Sequence, residues 1–260
     1  MDNHDILSMK PISIVAEGRF DGQPRPTKIP QIIHQAWTDE NLPKRWAHCI
    51  ASVRRFHPGW DYKLWTHDGS LAYVRQHHPR LYPIFAGFNR EMMRCDLMRY
   101  VAMHDIGGLY CDLDYEFIRP YNYADADLVL GYELELAMGD WKEALASCMF
   151  ASAPGHPLWR DLIEYVIESK PVSNTERDIL NLTGPGLLTK IFFENRHNYP
   201  PMTVQPRLVF SPYRMRGRHE RQTLLNNGVT IGIHHAFGSW KQRWKLSHIK
   251  RKLGFGKRAA

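Results

Sequence analysis

The sequence contains little of what membrane-spanning, secreted or zinc-stabilised proteins need. No apolar run among the 260 residues approaches the roughly 18 residues that span a bilayer. Residues 1–10 lack the apolar segment and cleavage site of a signal peptide, so we expect a cytosolic protein. The four cysteines are scattered without a Cys-x-x-Cys pair, which argues against structural zinc and against a disulfide framework.

Acidic residues are absent from residues 241–260, which hold eight of the 34 lysines and arginines. The rest of the chain has 26 basic and 27 acidic residues, and this balance argues against a nucleic-acid-binding core. Leu246, Ile249 and Leu253 recur at helical spacing in this tail. The pattern is typical of an amphipathic helix at an anionic membrane surface, and a solvated, disordered charge run is the alternative.

Between residues 28 and 240, strand-like and helix-like patterns alternate without an internal repeat or a dividing linker. Residues 1–27 are polar and rich in proline and glycine, and we interpret them as an irregular leader. The spacing of apolar residues predicts helices over 91–105 and 157–169, a loop at 184–186 and a helix over 187–193. Strands are predicted over 28–37, 62–65, 127–132, 145–151, 204–210 and 229–234. This alternation predicts an α/β layer with parallel strands.

The most informative segment is 94–114, in which a predicted helix is followed by Gly-Gly, an apolar strand and two aspartates. Alternation along the strand places Tyr110, Asp112 and Asp114 on one side. Alternate positions lie about 6.5 Å apart, so one carboxylate can bind a cation while the other reaches ribose or a metal-bound water. Mg²⁺ or Mn²⁺ suits such oxygen ligands and shares them with substrate phosphates. The alternative is that Asp112 and Asp114 are solvated residues of a turn. The apolar run before them argues against that alternative.

The helix before this strand carries Asp96 and Arg99, three residues apart on one face. Spacing alone favours an intrahelical ion pair, and the functional alternative places the pair at the edge of a nucleotide pocket with Arg99 facing phosphate. Farther along, a predicted strand ends in His234 and His235. One of these is a candidate metal ligand, although adjacent histidines at a strand end are more often polar edge residues.

In their order along the chain, these segments resemble glycosyltransferase family 32, sugar transferases with a DXD motif that include fungal initiating mannosyltransferases and bacterial capsule and lipopolysaccharide enzymes. The resemblance runs from Lys28 to Trp240. It rests on the opening strand IPQIIHQAW (29–37), the segment 94–114, and the later landmarks GHP (155–157), TGP (183–185) and His-x-x-x-Gly-Ser-Trp (234–240). One Asp-x-Asp is weak evidence, whereas this ordered set is strong.

The resemblance implies a GT-A fold over residues 28–240, a Rossmann-like α/β fold with a single mixed sheet flanked by helices. It implies a retaining, metal-dependent hexosyltransferase that uses a UDP- or GDP-linked sugar and Mn²⁺ or Mg²⁺. The acceptor would be a glycan or lipid-linked molecule in cell-surface polysaccharide synthesis. The missing signal peptide predicts a cytoplasmic enzyme, and the basic tail predicts a peripheral position on the inner face of the cell membrane if it binds anionic lipid.

The roles of the site residues also come from the resemblance. Asp114 would be the principal metal ligand, Asp112 would bridge metal and ribose, and His234 would complete the metal shell or contact phosphate. Asp96 and Arg99 would hold the donor sugar and its phosphate, so Asp112, Asp114 and Arg99 are the expected catalytic residues.

Three aromatic or hydroxyl side chains complete the expected donor site. Trp37 would stack near the nucleotide base. Ser239 and Trp240 would close over the phosphates beside the C-terminal histidine.

Three other functions are alternatives to the transferase. An aspartyl-nucleophile phosphatase also has Asp-x-Asp after an apolar strand, but Thr or Val usually follows two positions later, where this chain has Glu116. A glycosidase pairs two carboxylates, but two acids on one short strand do not readily flank a sugar. A non-enzymatic protein that binds membranes or polyanions would depend on residues 241–260 alone and would leave Asp112 and Asp114 without a role.

Overall fold

The computed structural model describes residues 28–123, 126–133, 144–210 and 218–237. The predicted leader, the predicted basic tail, Ser239 and Trp240 lie outside the described residues, so the division of the chain into leader, domain and tail stays a prediction. Within the described ranges, no helix is both long enough and apolar enough to cross a membrane.

Strands and helices alternate along the described chain, as the sequence patterns predict. The strands are β1 (Ile32–Ala36), β2 (Asp61–Trp65), β3 (Gly108–Cys111), β4 (Tyr115–Phe117), β5 (Leu128–Gly131), β6 (Met149–Ser152), β7 (Thr203–Gln205) and β8 (Gly232–His234). The helices are α1 (Ala47–Phe56), α2 (His67–His77), α3 (Tyr82–Gly87), α4 (Glu91–Asp105), α5 (Pro157–Ser169), α6 (Glu176–Leu182), α7 (Pro185–Asn195), α8 (Arg207–Phe210) and α9 (Arg218–Asn226). Short 3₁₀ turns span Lys44–Trp46 and Arg196–Asn198.

Six strands form one mixed sheet in the order β2-β1-β3-β6-β5-β7. Strand β1 pairs in parallel with β2 and β3, and β5 pairs in parallel with β7, whereas β6 is antiparallel to both of its neighbours. The expected α/β fold with a mixed sheet flanked by helices is confirmed. An additional two-stranded antiparallel sheet pairs β4 with β8, and places Tyr115 opposite His234.

The two faces of β3 enter different hydrophobic clusters because successive side chains point to opposite sides of a strand. Tyr110 packs with the helices α4, α5 and α7, whereas Leu109 and Cys111 pack on the other face. Helix α4 is buried along much of its length, and its buried residues include the charged pair Asp96 and Arg99. The fold therefore holds a charged pair inside the protein, next to the strand that leads to the aspartates.

Glycine at position 108 allows β3 to run close to β1. Its backbone has a φ of +102°, and a Cβ atom there would lie 2.4 Å from the carbonyl oxygen of Ile32. Any larger residue would therefore be strained by its conformation and would also collide with the neighbouring strand. This close pairing brings the carboxyl ends of β1 and β3 to the same edge of the sheet.

Three predicted elements are wrong in part. The strand predicted over 204–210 ends at Gln205 and is followed by α8, because Pro206 has no N–H for the ladder while its carbonyl accepts a bond from the first turn of α8. The loop predicted at 184–186 is instead the start of α7, since Pro185 suits the first position of a helix. The strand predicted over 145–151 is the later and shorter β6.

Candidate active site

Asp112 and Asp114 lie in the turn between β3 and β4, rather than on the strand as predicted. Strand β3 ends at Cys111, and the N–H of Tyr115 closes the turn by donating to the Asp112 carbonyl at 3.0 Å. The N–H of Asp112 donates to the carbonyl of Cys148 at 2.9 Å, which fixes the turn to the residue before β6. The two carboxylates therefore stand at the carboxyl edge of β1 and β3, where ligands of α/β sheets commonly bind.

Strand β8 brings His234 to this turn from far along the chain. Its Nε2 lies 3.4 Å from Asp114 Oδ1 and 3.7 Å from Asp112 Oδ2. The neighbouring His235 instead faces Glu116, with its Nε2 2.9 Å from Glu116 Oε2. Of the two candidate histidines, the geometry places His234 with the aspartates.

The three side chains fit a divalent cation. One ligand atom from each of Asp112, Asp114 and His234 lies within 4.8 Å of the other two. Octahedral ligands about 2.1 Å from an Mg²⁺-sized ion are about 3.0 Å apart when adjacent and about 4.2 Å apart when opposite. The observed separations of 3.4 and 3.7 Å fall between these values. The remaining coordination positions would be open to phosphate oxygens and water.

The two aspartates have different proton affinities. Burial raises the pKa of Asp112, although the Arg99 guanidinium opposes this effect. Burial acts in the same direction on Asp114, but bonds from His234 and from the N–H of Phe237 outweigh it and lower the pKa of Asp114. The Phe237 N–H donates to Asp114 Oδ2 at 2.8 Å. Asp114 is thus the carboxylate that stays ionised most readily, which suits a principal cation ligand.

Arg99 connects the buried helix to the aspartate turn. Its guanidinium lies 3.0 Å from Asp96 Oδ1 and 3.3 Å from Asp112 Oδ1, and donates to the carbonyl of Ser147 at 2.6 Å. Both interpretations of the Asp96–Arg99 spacing therefore describe part of the geometry, because the pair forms within α4 and also adjoins Asp112. The Arg99 side chain is only 4% exposed, so it lies behind Asp112.

Two residues that were not predicted as site residues hold these acids in place. The Tyr110 hydroxyl donates to Asp112 Oδ1 at 2.8 Å, and its ring lies beneath the Arg99 guanidinium at 4.6 Å. The Thr183 hydroxyl donates to Asp96 Oδ2 at 3.1 Å. Strand alternation already put Tyr110 on the side of Asp112, whereas no local spacing could connect Thr183 with a residue 87 positions away.

The aromatic residue Trp37 follows β1 at the same edge of the sheet. It is half-buried, and its ring meets that of Trp46 edge-on with centroids 4.7 Å apart. The Arg45 guanidinium lies over the rings of Trp46 and Phe237, at 5.2 and 5.7 Å. Aromatic rings and the Arg45 guanidinium thus extend from Trp37 toward Phe237, the residue whose N–H bonds Asp114. Ser239 and Trp240 lie outside the described residues, so their predicted roles stay predictions.

The fold and the site together define a class of protein. A carboxylate, carboxylate and imidazole cluster stands at the carboxyl edge of an α/β sheet, with a buried arginine behind it and aromatic rings beside it. Such an arrangement is typical of enzymes that use a divalent cation to bind and activate a phosphorylated substrate.

Comparison with known proteins makes this class more specific. Residues 43–135 match the model of the glycosyltransferase sugar-binding region containing the DXD motif. The match includes Asp96, Arg99, Asp112 and Asp114. The resemblance to DXD-containing sugar transferases is therefore confirmed for this part of the chain.

Relatives of known name agree with that match. The chain is 32% identical over 136 residues to inositol phosphoceramide mannosyltransferase 1 of Schizosaccharomyces pombe, covering 50% of this chain and 40% of the relative. It is 24% identical over 160 residues to the initiation-specific alpha-1,6-mannosyltransferase of the same organism, covering 53% of this chain and 39% of the relative. The chain thus spans less than half the length of these two relatives.

Among solved structures, the PaToxG glycosyltransferase is similar at 14% sequence identity and a TM-score of 0.47. The similarity covers 66% of this chain and 71% of the other.

Proposed function

We propose that the protein is a metal-dependent glycosyltransferase that moves a mannosyl residue from a nucleotide-diphosphate sugar to a lipid-linked or glycan acceptor. The observation that carries this proposal is the convergence of His234 with Asp112 and Asp114, the two aspartates of the matched DXD region. The choice of mannose among hexoses is supported by the names of the two fungal relatives, both of which are mannosyltransferases. A lipid acceptor is supported by the name of the first, an inositol phosphoceramide mannosyltransferase.

The reaction breaks the bond between the anomeric carbon of the donor and the diphosphate, which leaves with additional negative charge. A divalent cation bound by Asp112, Asp114 and His234 would supply positive charge where that charge develops. Asp114 is the residue best suited to hold it, because its pKa is lowered and its second oxygen is fixed by the Phe237 N–H. The oxygen of the acceptor hydroxyl then forms the new bond to the anomeric carbon, and its proton passes to the departing diphosphate.

Arg99 acts in this proposal by setting the charge and orientation of Asp112. Burial alone would lower the pKa of Arg99, but Tyr110, Asp112 and Asp96 outweigh it and keep the guanidinium charged. The same guanidinium reduces the repulsion between the carboxylate of Asp96, which is buried, and that of Asp112, whose side chain is 24% exposed. Asp96 is held from both ends, because it pairs with Arg99 and accepts a hydrogen bond from the Thr183 hydroxyl.

A direct test is a panel of UDP- and GDP-linked hexoses incubated with the full chain and Mn²⁺, with nucleoside diphosphate release as the readout. We expect release from GDP-mannose that depends on added metal. Asp114→Asn should reduce the rate by at least about 100-fold, because loss of one transition-state electrostatic contact has that effect in other enzymes.

The matched control is Asp68→Asn, which changes an exposed aspartate in the first turn of α2. It should retain the wild-type rate. Full activity of Asp114→Asn, or equal rates with Mn²⁺ and with excess chelator, would contradict the proposed role of the site.

We also propose that the basic segment 241–260 brings the enzyme to an anionic membrane surface, where a lipid-linked acceptor would be found. Deletion of residues 245–260 should reduce binding to vesicles that contain phosphatidylserine, as measured by sedimentation. Unchanged binding would reject this part of the proposal and would leave the catalytic proposal intact.

A further inference from the structure

A second cluster of metal-ligating side chains lies away from the aspartate turn. It consists of His78, which follows α2, and of His104 and Asp105 at the end of α4. His78 Nε2 lies 2.7 Å from Asp105 Oδ2, and His104 Nδ1 lies 2.7 Å from Asp105 Oδ1. One ligand atom from each residue is within 4.8 Å of the other two. Two ring nitrogens from different elements thus point at one carboxylate.

The cluster and the candidate active site stand at opposite edges of the sheet. The N–H of Asp112 bonds the carbonyl of Cys148, just before β6. The carbonyl of His104 accepts from the N–H of Gly155, just after β6. The four-residue length of β6, about 13 Å, therefore separates the two places, so the cluster is not part of the nucleotide-sugar site.

A positive charge would be favourable at the C-terminal end of α4. Asp105 is the last residue of α4, where the unpaired carbonyls make a helix end negative and a carboxylate is unfavourable. A cation shared by this carboxylate and the two histidines would compensate for the negative charge at the helix end.

We propose that His78, His104 and Asp105 bind a Zn²⁺-like transition-metal ion that ties the end of α2 to the end of α4. Two imidazole nitrogens and one carboxylate oxygen suit Zn²⁺ better than Mg²⁺ or Mn²⁺, which prefer oxygen ligands. Tetrahedral Zn²⁺ ligands are about 3.4 Å apart, so the 2.7 Å contact to the one coordinating oxygen of Asp105 would open by about 0.7 Å on binding. Water would occupy the fourth position.

The surroundings of the cluster support this assignment. The Tyr73 hydroxyl donates to Asp105 Oδ2 at 3.0 Å and orients the carboxylate from outside the ligand set. The His104 side chain is 32% exposed, which gives an ion a path from solvent.

The test is calorimetric titration of Zn²⁺ alone into the chelator-treated full chain. Other clusters among the described residues can also take Zn²⁺, so variants are compared with wild type. His104→Gln should weaken one binding event more than about 100-fold, because loss of an outer hydrogen bond alone weakens metal binding by about 10–100-fold. His197→Gln, which changes an exposed histidine in the 3₁₀ turn Arg196–Asn198, is the matched control and should bind like wild type.

Tyr73→Phe provides a second test that keeps all three ligands. It should weaken the same Zn²⁺ binding event by about 10–100-fold. Tyr73→Phe is the informative variant if circular dichroism shows that His104→Gln does not fold. The proposal is overturned if the stoichiometry and affinity for Zn²⁺ are the same in wild type and in the informative variant. It is also overturned if the control His197→Gln lowers the stoichiometry and affinity for Zn²⁺ to the same extent.

Discussion

Replacement of Arg99 by methionine should destabilise the protein strongly at neutral pH. The side chain is 4% exposed and meets Asp96, Asp112 and the carbonyl of Ser147. Methionine fills a similar volume but leaves the buried carboxylate of Asp96 and the partly exposed carboxylate of Asp112 without their cation. Breaking a buried ion pair by removal of one partner costs about 3–5 kcal/mol, so we expect a loss of that size in the free energy of unfolding.

The loss should depend on pH in a defined direction. The pKa of Asp96 is already raised to about 6 by burial, with the neighbouring Arg99 opposing that rise. Without the arginine it rises further, so Asp96 can take up a proton and relieve the uncompensated charge as the pH falls. The destabilisation caused by Arg99→Met should therefore shrink between about pH 8 and about pH 5.

Urea denaturation of the metal-free chain at both pH values measures this effect. The matched control is Arg160→Met, because Arg160 is 62% exposed and pairs with Asp161 at the surface of α5. Exposed pairs contribute about 0–1 kcal/mol, so this variant should unfold nearly like wild type at both pH values. A loss below about 1 kcal/mol for Arg99→Met at pH 8, or a loss that does not change with pH, would refute the reasoning.

Three further variants test the surrounding structure by urea denaturation. Gly108→Ala should lower the free energy of unfolding by at least about 2 kcal/mol, because its φ is +102° and its Cβ would lie 2.4 Å from the Ile32 carbonyl oxygen; a loss under about 0.5 kcal/mol would contradict this. Thr183→Val keeps its shape but loses its 3.1 Å bond to Asp96, so we expect a loss of about 1.5–3 kcal/mol, and unchanged unfolding would argue against a stabilising bond. The pKa of Asp96 is raised from 3.8 to about 6 in the folded protein. Its contribution to the free energy of unfolding is therefore fully present below pH 3.8 and is lost as the pH rises through about 6. The stability of wild type relative to Asp96→Asn should therefore fall by on the order of 3 kcal/mol from about pH 4 to about pH 7, and a constant difference would exclude the raised pKa.

The sequence predicts those parts of the fold that depend on local patterns. Apolar spacing predicts α4 and α5 with the bounds that the structure has, because each helix buries a long apolar side. The prediction is wrong where one residue changes the backbone within an apolar run. Pro206 ends a strand that hydrophobicity alone would continue, and Pro185 starts a helix where the Gly-Pro-Gly sequence predicts a loop.

The candidate site is predictable only where its residues are close in sequence or carry a family motif. Asp112 and Asp114 are visible from their spacing, although the strand ends before them. Residue spacing alone does not distinguish His234 from His235. The resemblance implies His234, and the pairing of β8 with β4 turns its ring toward the aspartates and that of His235 toward Glu116. Long-range contacts of this kind leave no trace in the local spacing of residues.

In the proposed site, Asp112, Asp114 and His234 hold a cation that in turn holds a nucleoside diphosphate. Calorimetric titration of GDP into the full chain, with and without Mn²⁺, measures whether the cation strengthens GDP binding. For wild type, Mn²⁺ should tighten GDP binding by at least about tenfold, which corresponds to about 1.4 kcal/mol. Asp114→Asn should remove that enhancement. Equal affinity of wild type with and without Mn²⁺, or an enhancement that persists in Asp114→Asn, would contradict the claim.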